Sequence, residues 1–280
     1  MTALILSLAV DLDFDLDLAG VTPDGLRGRT VDRVRRHRVQ YGRRRAALGD
    51  FFELTGSLEA SAIELRRATA KLTRVGGGMA AGAITVKGDV GHACGAEMRG
   101  GALRVLGGAG DYLGAGMRGG RIDVAGSAGA FVGGGIAGAT HGMNDGTILI
   151  GGDAGDRVGD RMRRGLVIVR GDTGAYAGSN MIAGTLVLLG ASAAGLGSGM
   201  RRGSILLARE PERLLPTFTT AGTFDLAVVA VLTRHLVSLQ RRLAETLVPF
   251  TAVRRIVGDA ACGGRGELLI AASARRTRRH

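Results

Sequence analysis

Between residues 76 and 209, apolar positions recur with two superposed periods. The long period is marked by methionine. Met79, Met98, Met117, Met143, Met162, Met181 and Met200 stand 19 residues apart, except for a step of 26 between Met117 and Met143. The short period is an alternation: the fifth and seventh residues after each Met are apolar, from Ile84 and Val86 through Ile148 and Ile150 to Ile205 and Leu207. Glycine stands at the third position after every Met, and at the ninth until Arg209 ends the pattern. An alternating run of about five residues between glycine turns predicts a short strand. Such a strand cannot bury a face by itself. Stacked units can, with strands ~4.8 Å apart and like residues piled on like. The predicted fold is therefore all-β, a parallel β-solenoid of about seven 19-residue coils. Right-handed is the expected hand, because parallel crossovers take it.

Two further columns refine this picture. The fourth position before each Met reads Val75, Cys94, Leu113, Val132, Val158, Ala177 and Leu196. It predicts a second inward row, with Cys94 as a buried thiol and the Met column as core filler. The sixth position after Met points outward. It is Thr85, Arg104 and Asp123 on the early coils, then Leu149, Ile168, Val187 and Leu206. An outward apolar stripe marks a contact. Two covers suit it: the segment Phe224–Leu247, whose leucines and valines fall at helical spacing, or a partner subunit. On the second reading these four residues are docking residues. In the 26-residue step, Ile136 stands where Met is due, so residues 137–143 read as a seven-residue insertion. Inserted loops often carry function, which makes His141 and Asn144 candidates for docking.

The ends depart from the repeat. Residues 1–47 read as one strand over 4–18 with an acidic face, then an arginine-rich segment bearing Arg33, Arg35, Arg36, Arg38, Arg43, Arg44 and Arg45, which is expected to neutralise that face. Residues 48–75 read as a degenerate capping coil, residues 76–209 as the solenoid, and residues 210–280 as a C-terminal helix and basic tail.

Composition narrows the function. The chain has 280 residues with 49 Gly but only 4 Pro, and 45% are hydrophobic, which excludes collagen and general disorder. A net charge of +12 suggests an anionic partner, yet aromatics are only 4%, so base-stacking platforms for nucleic acid are lacking. Two cysteines, no apolar run of the ~20 residues that span a bilayer and no basic segment ahead of the apolar N-terminus predict a cytoplasmic protein without membrane contact. Catalytic chemistry is sparse. The five histidines lack ligand partners at zinc spacing, and no phosphate-binding loop occurs. One carboxylate pair stands out. Asp153 and Asp172 share the tenth position after Met in adjacent coils, a stacking distance of about 5 Å that is near the separation in retaining glycosidases. A carbohydrate-active solenoid enzyme is one reading. The other is a Gly-Asp turn, as at Asp89, where Asp favours the turn itself.

The strings VGGGMAAGAITVKGDVG, GAEMRGGALRVLGGAGDYLGAGMRGG and GDRMRRGLVIVRGD resemble the GXGXG β-helix family, which includes the C-terminal domain of the large glutamate synthase subunit. The preamble TPDGLRGRT…GRRRAALGDFFELTG, the coil HGMNDGTILIGGDAG and the ending VGDAACGGRGELLI bring the likeness nearer to the C-type subunits of formylmethanofuran dehydrogenase and of the bacterial formyltransferase/hydrolase complex. The resemblance implies a non-catalytic subunit that itself binds no cofactor or metal. The implied partners are a formyltransferase subunit, an amidohydrolase-like subunit that holds metal, and a further complex subunit. Together they would move a formyl group from formyl-tetrahydromethanopterin to a methanofuran-type carrier and release formate. The alternative setting is a molybdenum or tungsten formylmethanofuran dehydrogenase. Such carriers bear glutamate-rich chains, so the Arg33–Arg45 cluster becomes a candidate for attracting the carrier.

Overall fold

The structure, a computed structural model, describes residues 3–57, 59, 61–239 and 252–272. It begins with strands β1 (Leu4–Leu8) and β2 (Leu16–Asp17), a short helix α1 (Val31–Arg35), and strands β3 (Arg38–Tyr41) and β4 (Arg44–Ala47). Next come β5 (Phe52–Thr55), β6 (Ala62–Ala68) and β7 (Leu72–Thr73). The repeats supply β8 (Ala83–Gly88), β9 (Ala102–Val105), β10 (Arg118–Val124), β11 (Asp145–Ile150), β12 (Leu166–Val169), β13 (Thr185–Leu188) and β14 (Arg202–Leu207). After them follow β15 (Thr219–Phe224), helix α2 (Ala227–Leu239), β16 (Val253–Gly258) and β17 (Arg265–Ala271). The protein is mostly β, and no helix among the described residues is long and apolar enough to cross a membrane.

Thirteen strands form one mixed sheet in the order β15-β16-β17-β14-β13-β12-β11-β10-β9-β8-β6-β1-β5. From β1 to β17 the neighbours are parallel; β5 at one end, and β16 and β15 at the other, are antiparallel. The repeat sets the register. Leu103, Ile122, Ile148, Val167, Leu186 and Ile205 lie side by side across successive strands. A second line of parallel bridges joins Val90, Ala109, Ala128, Ala154, Thr173 and Ser192. Each unit thus meets its neighbour at two corresponding places. Both alternating columns, the Met column and the row from Val75 to Leu196 are buried in one continuous core. Cys94 lies in it, fully buried.

The two glycine columns answer different demands. Gly165, third after Met162, has φ +98°, a left-handed conformation that L side chains resist, and a Cβ there would stand 2.9 Å from the Gly146 carbonyl oxygen. Gly171, ninth after Met162, needs no such φ. A Cβ there would stand 2.1 Å from Oδ1 of Asp153 and 2.7 Å from the Gly152 carbonyl, so the previous unit excludes any side chain.

Three expectations need correction. Residues 4–18 are not one strand. Leu4, Leu6 and Leu8 bury in the large sheet, but Val10 and Phe14 turn outward, and the chain crosses to a second sheet ordered β4-β3-β2-β7. Nor do the arginines after it neutralise its acids. Asp17 pairs with Arg74 at 3.1 Å, and Asp15 faces His92 at 4.0 Å. Residues 210–280 hold more than a helix and tail. Beyond α2, strand β17 adds another rung on β14, with Gly203 beside Gly266 and Ile205 beside Leu268. The chain returns there because Leu268 and Ile270 continue the inward alternation and close the open end of the core.

Candidate functional site

The stripe Leu149, Ile168, Val187 and Leu206 is buried, together with Leu166, Leu189, Val253 and Leu269. Val229 of α2 lies within this cluster, and Leu226, Leu232 and Val237 pack against it. The chain's own helix therefore covers the stripe, and these four residues present no open docking face. Apolar surface there is removed from water, which is worth about 25 cal/mol per Å². The expected helical segment runs on to Leu247; residues 240–251 lie outside the described residues. The outer side of α2 leaves Val228 and Val231 exposed.

Ile136 does not replace a methionine. It is 38% exposed, while Met143 is fully buried. The chain resumes register at Gly142, whose N–H donates to the Arg161 carbonyl at 2.8 Å, and the extra residues lie before it. Buried Asp160 accepts from Ser179 Oγ at 2.7 Å. Beside it, the Arg161 guanidinium donates to the Ala139 carbonyl at 3.0 Å and holds the insertion in place. The insertion walls a groove of about 430 Å³ lined by Glu97, Arg118, Ile136, His141, Asn144 and Arg163. The structure thus brings His141 and Asn144 together in one groove. Thr140 Oγ1 lies 2.5 Å from His141 Nδ1.

A backbone ladder places the arginines of this face. The residue after each Met donates its N–H to the carbonyl of the Met one unit earlier: Arg118 to Met98, Asn144 to Met117, Arg163 to Met143 and Arg201 to Met181. With Met held inward, the next side chain points out, and successive ones stack at the ~4.8 Å strand spacing. Beyond Arg163 the face opens into a second groove of about 620 Å³, lined by Arg163, Arg164, Arg201, Arg202 and Arg265 together with Cys262. Sequence reasoning missed this cluster, although its signal was present: Arg follows Met at Arg99, Arg118, Arg163 and Arg201.

The N-terminal arginines divide. Arg33, Arg36 and Arg38 join Arg29 and His37 around a basin of about 690 Å³. Burial, then the neighbouring Arg29 charge, hold the His37 imidazole below its ordinary pKa. Arg35 pairs with Asp32 at 3.7 Å instead, and Arg43, Arg44 and Arg45 lie exposed along the β3–β4 hairpin and do not line the basin.

Asp153 and Asp172 are used by the backbone. Oδ1 of Asp153 accepts the N–H of Asp172 at 2.8 Å, and Oδ1 of Asp172 accepts that of Ala191 at 2.7 Å. Asp89 does the same for Gly108 at 2.7 Å. Each carboxylate ties its own turn to the following unit, 19 residues on, instead of bonding within the turn it stands in. Among the described residues, no three His, Cys, Asp or Glu side chains cluster as a metal site. Aromatics absent from the sequence reading form a ladder: half-buried Tyr112 stacks on half-buried Phe131 at 4.9 Å, and Arg157 lies over Phe131 and the exposed Tyr176.

The described residues thus form a mostly β chain of stacked, glycine-bounded strands with an arginine-lined face. The chain belongs to the GXGXG motif family, whose pattern matches residues 68–240. It is similar to the C-type subunit of tungsten-containing formylmethanofuran dehydrogenase 2 from Methanothermobacter thermautotrophicus, 33% identical over 100 residues, and to that from Methanothermobacter marburgensis, 32% identical. These matches cover 34% of this chain and 37% of each relative, so little more than a third of their length is spanned. Among solved structures it is similar to a chain of the formyltransferase/hydrolase complex (FhcABCD) from Methylorubrum extorquens, determined in complex with methylofuran. The TM-score is 0.88 and the identity 38%, over 96% of this chain and 99% of that one.

Proposed function

We propose that this chain is the non-catalytic scaffold subunit of a cytoplasmic formyltransferase/hydrolase complex, built as a right-handed parallel β-solenoid. In that complex a formyltransferase subunit moves the formyl group from formyl-tetrahydromethanopterin to a methanofuran-type carrier. An amidohydrolase-like subunit, holding the metal, hydrolyses the formylated carrier to formate, and one further subunit joins the assembly. The observation that carries this reading is the end-to-end likeness to a chain of the hydrolase complex, 96% of one and 99% of the other. The dehydrogenase reading rests on a likeness of about a third of each chain. The role given to this chain's own residues is mechanical: parallel stacking in register makes a stiff rod on which partners are held at fixed separation. The basin of Arg29, Arg33, Arg36 and Arg38 attracts the carboxylates of the carrier.

Purification from the native host at low salt tests the assignment. A co-purifying formyltransferase and amidohydrolase-like protein with zinc are expected. Molybdenum or tungsten with iron–sulfur proteins would move the chain to the dehydrogenase. Reversing Arg33, Arg36 and Arg38 to Glu should raise the Michaelis constant of the assembled complex for carrier and leave kcat unchanged; an unaltered constant removes that role.

A further inference from the structure

The groove of Arg163, Arg164, Arg201, Arg202 and Arg265 is filled by no charge of opposite sign among the described residues. None of the five forms an ion pair or side-chain hydrogen bond with a described residue, and all five are exposed. Two of them, Arg202 and Arg265, are direct cross-strand partners on β14 and β17. Like charges placed opposite each other on adjacent strands oppose sheet formation. Several arginines elsewhere are paired within the chain: Arg121 is clamped on Asp123 at 2.8 Å, Arg255 on Glu267 at 2.8 Å, and Arg74 on Asp17 at 3.1 Å. An arginine cluster with no carboxylate in its lining, at the end of the stack that β17 closes, is built for an anion from outside.

We infer that this groove docks an extended acidic segment of a partner subunit. The inference rests on the proposed membership of a complex. Three features select the occupant. Arginine forks match carboxylates in paired hydrogen bonds. The rungs carrying Arg164, Arg202 and Arg265 span three steps of the stack, roughly 14 Å at the strand spacing, or four to five residues of extended chain. Between the arginine rungs the floor is Ile182 and Ala183, with no aromatic ring in the lining. A peptide alternating acidic and apolar side chains fits a charged rim over an apolar floor, whereas a nucleic acid would lack stacking platforms.

Cys262 lies in the groove and is exposed, while the chain's other cysteine, Cys94, is buried. The native thiol therefore reports on occupancy. The experiment compares maleimide labelling of Cys262 in the complex purified at low salt with that in the chain released by high salt. Labelling should be at least tenfold slower in the complex. The variant Arg163→Glu/Arg201→Glu/Arg265→Glu should retain its circular-dichroism spectrum and bind its partner at least tenfold more weakly. Arg33→Glu/Arg36→Glu/Arg38→Glu, with the same charge change, should assemble normally. If the reversed groove fails to fold, the three-fold Gln variant supplies the same comparison. Equal labelling rates in an intact complex, or normal assembly of the groove variants, overturns the docking site alone. Protection removed by nuclease rather than by salt release of a protein overturns the acidic peptide. A chain recovered without any partner overturns the complex and the docking site together.

Discussion

At the scale of single residues, the structure separates positions that look alike in sequence. Gly165 is required by its own φ and Gly171 by the carboxylate pressed against it. The aspartates of the Gly-Asp turns act one unit ahead of themselves, so their effect is on cohesion between coils. Asp153→Ala should cost about 1–2 kcal/mol, since it strands a backbone N–H that had a charged acceptor. Asp153→Asn, whose side-chain oxygen still accepts, should recover most of that loss in urea denaturation while leaving the activity of the assembled complex unchanged. Loss of activity in the Asn variant with stability intact would return the pair to catalysis. The thiols divide as clearly. Burial pushes the Cys94 thiol up to about 12, so at pH 8 a thiol reagent should modify only Cys262 in the isolated native chain and both cysteines in denaturant. Mass spectrometry of the labelled peptides checks this.

At the scale of elements, the outward stripe shows how one column can serve two purposes. On the early strands it carries Thr85, Arg104 and Asp123 to the surface; on the later ones its apolar members lie beneath α2. The helix is held chiefly by Val229, with Leu226, Leu232 and Val237 beside it. Val229→Asp would bury an unpaired carboxylate in this apolar cluster, a cost of several kcal/mol that the helix avoids by lifting off. The expected result is a native repeat core with a newly exposed apolar face. Hydrogen exchange should rise across residues 227–239 and along the outer side of β11 to β14, and the protein should self-associate. Unchanged protection over the helix would show that Val229 does not anchor it. That the stripe would be covered was legible from its composition. The helical spacing of residues 224–247 also named the chain's own segment as one cover; choosing it over a partner subunit needed the fold, because the 19-residue period carries no information on how far a later segment folds back.

At the scale of the whole molecule, stability is distributed along a stack whose units touch mainly their neighbours. The ends matter most, since an open end exposes both the core and unpaired strand edges. Asp259 secures the C-terminal end. Its carboxylate accepts from Gly199 N–H at 3.0 Å and Ala261 N–H at 3.0 Å, tying the β16–β17 connection to the last repeat. Burial raises its pKa, but the donors Gly199, Thr217 and Ala261 together outweigh burial and hold it below the ordinary 3.8. A depressed folded pKa means that this stabilisation is present above about pH 4 and is lost as pH falls through the lower folded value. Acidification below pH 4 should therefore fray β15 to β17 before β9 to β13, as hydrogen exchange can resolve by segment, and Asp259→Asn should weaken that pH dependence. Simultaneous loss of protection along the whole stack would contradict it.

The period, the inward columns and the parallel stacking of units were all legible in the order of residues. A 19-residue repeat forces like residues into like places, and Met, Ile and Val recurring there have only the interior to occupy. The family likeness could be read there too, whereas the link that Asp153 and Asp172 make to the following unit could not. What remained depended on contacts between distant segments. Sequence distance does not encode which segment closes an end, so β17, some 60 residues beyond β14, was read as tail. The alternation of residues 4–18 concealed a crossing between two sheets, because local pattern cannot show that the partner strand changes midway. Scattered arginines became a groove only when the Met ladder and β17 carried them onto adjacent rungs.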